Sequence, residues 1–308
     1  MINMAESIFL FDSHFLFAVF LFILLVNLSA FICAYVLQVD YFTDITGSVC
    51  FVAAVLIPFA WGGGIVEIHR IAIFAAIVIS RLELGCFLLY RVIKRGHDSR
   101  FETMRSNFIR FGIFWIIQIM WVFVVSFNAV FTLGDTARPS NNVATIIGIC
   151  FFVVGFVIQT TADAQKLNFR KNSSNSGLPC VIGIWRYSRH PNYFGEILIW
   201  WSIFTISIPV LLVSSDKWGW ATIISPIFTM FLLMFVSGIP FAEGKALERY
   251  YRNHRSRKII EEYQNSTSPL IPFFPQVYRK LPSAVKIVLF GDFPMYRYRG
   301  TIDSQLED

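Results

Sequence analysis

Between Trp185 and Glu196 the chain reads W-R-Y-S-R-H-P-N-Y-F-G-E, and an apolar run of helix length begins at Ile197. Arg186, Arg189, His190, Asn192, Tyr193 and Glu196 bring cations, an imidazole, an amide, a phenol and a carboxylate into one short stretch. Pro191 suits the first turn of a helix, where its missing N–H loses no partner. The start of that helix would present free N–H groups beside Arg189 and His190, an arrangement suited to an anion. Asn192 and Glu196 are one turn apart and share a face, and Gly195 lets a backbone or ring approach closely. A purely structural helix start is the plainer alternative. The convergence of so many donor and acceptor types favours a bound anionic cofactor.

A second stripe precedes it. Gln159, Asp163, Lys166 and Arg170 are spaced i, i+4, i+7, i+11 and line one helical face. Lys166 and Arg170 are also what a snorkelling helix end would carry. Asp163 and Gln159 are costly near hydrocarbon without partners, and snorkelling does not explain them. Further along stand Glu243, then Glu248, Arg249, Tyr250 and Tyr251, then Tyr263; about half of such charges belong to a solvated face. In the first half of the chain, Asp44, Glu67, Arg81, Glu83, Tyr90, Gln118 and Asn128 interrupt apolar sequence. Arg81 and Glu83 sit inside an apolar run, two residues apart, so each needs a partner from another helix. A buried structural pair and a substrate contact explain them equally well.

The elements that must position these residues are membrane helices. Of the 308 residues 56% are hydrophobic and 15% charged, against about 25% charged in an average soluble domain. Apolar runs at 15–37, 49–66, 71–93, 108–132, 143–162, 195–213 and 218–241 approach or exceed the length that crosses about 30 Å of hydrocarbon as helix. The expected fold class is therefore all-α, a polytopic membrane protein of about seven transmembrane helices. Met1–Ser7 lacks basic residues and the first run is too long for a signal-peptide core, so it reads as a retained span. Basic residues collect in 91–110, in 163–190 and after Glu243. The positive-inside rule puts those regions in the cytoplasm, with a lumenal N-terminus and a cytoplasmic C-terminus. The net charge of +6 suits topology and an anionic ligand rather than nucleic acid. Residues 242–262 read as one polar amphipathic helix, and Pro269, Pro272, Pro275 and Pro282 break helix and strand alike beyond it. The whole is expected to be one membrane domain: a substrate-side half of about 1–140, a cofactor-binding half of about 141–285 and a tail of 286–308. The five cysteines form no C-x-x-C pair, so neither a zinc site nor a disulfide framework is expected, and no metal. Rossmann, Walker A, H-E-x-x-H and G-x-S-x-G motifs are absent, as is a set of histidine boxes.

The stretch Gly183–Trp201, with Arg81–Phe101, Asp163–Arg170 and Ser237–Glu243, resembles a membrane family of unassigned function. That family is described as having a steroid 5α-reductase-like C-terminal region, within the 3-oxo-5-alpha-steroid 4-dehydrogenase superfamily. The resemblance covers most of the chain. It implies seven spans, an endoplasmic reticulum membrane and NADPH held from the cytoplasmic side without a Rossmann fold. It carries the cofactor contacts of the fifth helix onto Gln159, Asp163 and Arg170, with Gln in place of Asn, and those of an N-x-x-G-E segment onto Asn192, Tyr193 and Glu196. Lys166, Arg186, Arg189, His190, Glu243 and Tyr263 complete the expected cofactor set. The glutamate that polarises the substrate ketone in the reductases has Asp44 or Glu83 as its nearest analogue, with Tyr90 as the nearest tyrosine.

The expected function is NADPH-dependent reduction of a C=C bond in a lipid or sterol-like substrate. Isoprenylcysteine and phospholipid methyltransferases share the R-H-P-x-Y segment and use S-adenosylmethionine. They carry a paired glutamate after the next hairpin, which here reads Glu243-Gly244. A non-enzymatic lipid-binding protein is the third alternative.

Overall fold

The computed structural model describes residues 12–39, 43–62, 67–95, 104 and 106–298. Among them secondary structure is helical, apart from one isolated parallel bridge between Ser188 and Ser268. Seven helical segments are long and apolar enough to cross a membrane, so this is an all-α integral membrane protein. The first six are α1 Leu16–Leu37, α2 Thr43–Trp61, α3 Ile68–Arg95, α4 Phe108–Gly134, α5 Val143–Lys171 and α6 Pro191–Val213. The seventh, Lys217–Tyr251, is not one α-helix. It opens with a 3-10 stretch, Lys217–Ile223, continues as α7 Ile224–Phe231 and widens into a π-turn at Leu232–Val236.

Two boundaries depart from the hydropathy reading. Helix α2 begins at Thr43, six residues before the expected apolar run, because Thr43, Thr46 and Ser48 are small polar residues buried between helices. Residues 242–262 form no single helix: α8 Ile239–Ala242 is followed by a 3-10 turn at Gly244–Leu247, α9 Glu248–Tyr251 and then α10 His254–Ser266. The break before α10 is made by Asn253, whose side chain accepts from the Arg255 and Ser256 N–H groups and so starts a new helix. Among the proline-rich residues beyond, two short helices remain, α11 Pro275–Tyr278 and α12 Ser283–Phe290.

The chain divides into two compact units. Unit 1 takes in the described residues up to Phe152 together with Trp200–Phe228. Its spans are held by buried polar contacts as well as apolar ones, which suits helices in hydrocarbon, where an unpaired polar group finds no water. The Gln118 amide donates to Asn27 Oδ1 at 3.1 Å, and the Asn27 amide reaches the Ile23 carbonyl at 2.8 Å. Asn128 donates to Thr222 Oγ1 and accepts from Ser207 Oγ. Arg70 caps two helix ends at once, donating to Leu133 O of α4 and to Pro58 O and Phe59 O of α2. Carbonyls in a last turn lack intrahelical donors, and a guanidinium supplies several.

Unit 2 takes in Val153–Ile199 and, from Thr229 onward, the described residues to the end. There α5 and α6 cross at two glycines. A Cβ on Gly195 would lie 2.6 Å from the Gly155 carbonyl oxygen and 2.8 Å from the Gln159 backbone nitrogen. This close approach brings the polar turns of α5 against the start of α6.

Candidate functional site: a cationic cavity beside a buried ion-pair network

The segment before α6 is fixed by strand-like pairing. Arg189 N donates to Ser268 O, Phe273 N to Tyr187 O and Ser188 Oγ to Leu270 O. Tyr263 places its hydroxyl between the carbonyl oxygens of Trp185 and Ser188. Pro191 then opens α6.

This geometry forces Arg189 and His190 inward, at 3% and 5% exposure. Arg189 Nη1 donates to Gln264 O at 3.0 Å, Nη2 to Asp292 Oδ1 at 2.7 Å, and Nε lies 2.9 Å from Glu243 Oε1. The Nε contact is an ion pair only, its N–H being poorly aligned for a hydrogen bond. His190 Nε2 sits 2.8 Å from the same Glu243 oxygen, and the Gln264 amide donates to the other at 3.2 Å. Asp292 Oδ2 accepts from Tyr278 at 2.7 Å and from Arg297 at 3.1 Å. Burial alone would lower the pKa of the Arg189 guanidinium, but Glu243 and Asp292 outweigh it and leave it raised. Burial holds His190 below its usual range against the opposing pull of Glu243, so the imidazole is neutral near pH 7. Burial and then Asp292 push the Tyr278 phenol far up, keeping it a donor.

Two guanidinium groups thus face two carboxylates, and Arg189 has no charge to spare for a ligand. The sequence suggested it as part of an anion site; the fold commits it to carboxylates 54 and 103 residues away. Glu243 is held in turn by its neighbour. Gly244 has φ +60° and would place a Cβ 2.9 Å from the Met295 carbonyl oxygen. Only glycine suits that left-handed position, which accounts for the absence of a second glutamate there.

Beside this network lies a cavity of about 70 Å³, lined by Lys166, Arg170, Trp185, Arg249, Tyr250 and Cys180 among others. Its positive charge comes from Lys166, Arg170 and Arg249, since Glu243 in its wall is matched by Arg189. Lys166 Nζ stands 4.4 Å over the Trp185 ring, whose indole N–H donates to Ala162 O. The Cys180 thiol is pushed up by burial, with the nearby cations opposing, so it stays protonated.

Next along the same helices, two amide–carboxylate pairs join α5 to α6. Gln159 Nε2 donates to Glu196 Oε2 at 2.8 Å, and Asn192 Nδ2 to Asp163 Oδ1 at 3.2 Å. Asn192 Oδ1 is buried and has no hydrogen-bond partner among the described residues. Tyr193 stacks on His190 at 5.2 Å. Arg186 is exposed.

Asp44, Glu83 and Tyr90 all lie in unit 1. Asp44, in the first turn of α2, lines a cavity of about 50 Å³ with Arg81, Gln118 and Trp121. Glu83 is half-buried on α3 and Tyr90 is exposed, with Lys94 Nζ 5.9 Å from its ring centre. Gln264, Asp292 and Tyr278 were not singled out by the sequence; their only local signal is a polar residue among prolines and aromatics. Among the described residues no cluster of three metal-ligating side chains occurs.

The fold and this site define a seven-span integral membrane protein whose cationic cavity and buried ion-pair network are built from the end of α5, the start of α6 and residues from Glu243 onward. The chain belongs to the family described as "Protein of unknown function (DUF1295)", which matches residues 30–267. It is also 34% identical over 138 residues to the Delta(14)-sterol reductase LBR of Gallus gallus, a match covering 39% of this chain and 22% of that protein. The chain thus spans about a fifth of the length of that curated relative. No solved structure matches it.

Proposed function

We propose that this protein is an NADPH-dependent reductase of a C=C bond in a membrane lipid or sterol-like molecule. The observation that carries the reading is the cavity walled by Lys166, Arg170 and Arg249. Three cations beside a paired carboxylate suit a phosphorylated cofactor better than the single positive charge of S-adenosylmethionine. The similarity to a sterol reductase supports the same class.

The residues present fit the cofactor in two respects. The cavity has the size and donors for phosphate, though it does not enclose a whole dinucleotide. The unpartnered, buried Asn192 Oδ1 is an acceptor suited to a carboxamide N–H. When bound, NADPH supplies the hydride. Asp163 turns the Asn192 amide so that its oxygen stays available. Gln159 and Glu196 brace the two helices one turn further on. Trp185 gives Lys166 a face to rest on, holding the ammonium at the cavity wall. In the same reading Asp44 or Glu83 supplies a proton to the substrate carbonyl, Asp44 from the wall of a cavity that Gln118 also lines.

The test is thermal unfolding of the detergent-solubilised protein with NADPH or S-adenosylmethionine. At a ligand concentration about a hundred times Kd, stabilisation reaches about 2.7 kcal/mol by mass action. NADPH should stabilise, and Arg170→Ala should weaken its binding by about 1–3 kcal/mol, the range for a charged hydrogen bond. Stabilisation by S-adenosylmethionine alone transfers the site to methyl transfer. Oxidation of NADPH with a lipid enone, lost in Asp44→Asn or Glu83→Gln while binding persists, tests the acid.

A further inference from the structure

The stretch from α11 to Arg297 carries an apolar face that no part of unit 2 covers. On α12, Val285, Val288 and Leu289 are spaced i, i+3, i+4 and share one side. Val288 is 78% and Leu289 62% exposed. The other side is anchored. Phe290 is buried against Phe273 and Tyr278, and Lys286 lies over the Tyr278 ring at 4.7 Å and donates to Asn265 O.

Depth in the membrane is set by the residues just after the helix. The Phe293 ring lies 5.2 Å from that of Phe235, and the Tyr296 hydroxyl donates to Met234 O at 2.6 Å. Gly291 is so close to the Met234 methyl that a Cβ would lie 2.7 Å from it. Met234 and Phe235 belong to the π-turn of the seventh span; Phe235 and Val236 in that turn, and Phe231 just before it, are exposed. Outward apolar residues of a span meet hydrocarbon. The exposed face of α12 therefore stands at the hydrocarbon edge. Charge completes the pattern. Arg279 and Lys280 are exposed just before α12, and α12 contains no acidic residue. The Glu262 carboxylate reaches Arg279 only at 3.9 Å, with both side chains about two-thirds exposed, too weak a pair to hold the cation.

We infer that α12 is an interfacial anchor. Its Val288–Leu289 face enters the bilayer edge while Arg279 and Lys280 take anionic lipid headgroups. Two residues beyond α12 lies Asp292, which holds Arg189. Seating of the helix on anionic lipid therefore steadies the buried network beside the cationic cavity. This inference is independent of the cofactor and of the reaction.

The experiment is hydrogen exchange on the full chain in nanodiscs of phosphatidylcholine alone or mixed with phosphatidylserine. The amides read are those from Lys286 to Gly291, bonded within α12. Exchange should slow in the anionic discs by about fivefold for each basic side chain engaged. The Arg279→Gln/Lys280→Gln variant, altered only at exposed positions, should lose that difference while α4 amides exchange as before. Val288→Asp/Leu289→Asp should speed exchange in both discs. Should that variant fail to fold, the basic-residue variant still decides. Equal exchange in the two discs, an anionic effect that survives loss of Arg279 and Lys280, or protection that rises with protein copies per disc would each overturn the inference. The last result would mean that a second copy covers the face.

Discussion

Replacing Asp292 by Asn removes one charge from the buried network while keeping its volume. The carboxylate has 2% of its side chain exposed and takes Arg189 at 2.7 Å, Tyr278 at 2.7 Å and Arg297 at 3.1 Å. An asparagine carbonyl can keep Arg189, but its NH₂ then faces Tyr278 and Arg297, and two charge-assisted bonds are lost. Each such bond is worth about 1.5–3 kcal/mol, and breaking a buried pair costs about 3–5 kcal/mol. Because Glu243 still pairs with Arg189 at 2.9 Å, the lower end applies, about 3 kcal/mol. At about 2–4 °C per kcal/mol for a domain of this size, Asp292→Asn should melt roughly 6–12 °C below the parent protein in detergent. The comparison is Arg252→Gln, which breaks the i,i+4 pair with Glu248, whose side chains are 73% and 45% exposed. That change should cost under about 1 kcal/mol. Tyr278→Phe combined with Asp292→Asn should be less than additive, since both remove the same bond. If Asp292→Asn and Arg252→Gln melt alike, the ion pair does not organise this end of the protein, and Arg189 is not committed to its carboxylates.

Three further outcomes rest on the same geometry. Gly195→Ala drives a Cβ into the Gly155 carbonyl and the Gln159 backbone; overpacking of this kind costs about 1–3 kcal/mol, and cysteine pairs placed across α5 and α6 should crosslink less efficiently. His190 is held below its usual value of 6.5, so the unfolded chain binds its proton first, and stability falls as pH drops below about 6.5 towards the folded value. His190→Gln, which keeps a donor towards Glu243, should flatten that part of a melting-temperature profile; an unchanged slope would locate the acid sensitivity elsewhere. The orientation expected from the basic loops puts the sequons at Asn172 and Asn265 on the cytoplasmic side, so expression in a glycosylating membrane should leave both unmodified, and glycan on either would invert the topology.

Much of the membrane architecture is readable from the chain alone. Apolar runs of helix length need only be counted, because hydrocarbon admits few backbone conformations other than helix. The 3.6-residue period put Gln159, Asp163, Lys166 and Arg170 on one face, and Pro191 marked the start of α6, since both features are local. The start of α2 at Thr43 was not legible, because small polar residues pass into a helical membrane bundle when neighbouring helices shield them. The fate of Arg189 was decided by the tertiary structure. Its sequence neighbours suggest a free cation at a helix start, but Gln264, Glu243 and Asp292 reach it from 75, 54 and 103 residues away. No periodicity encodes such pairings. They exist because a buried guanidinium must find carboxylates, and only the folded path of the chain determines which ones arrive.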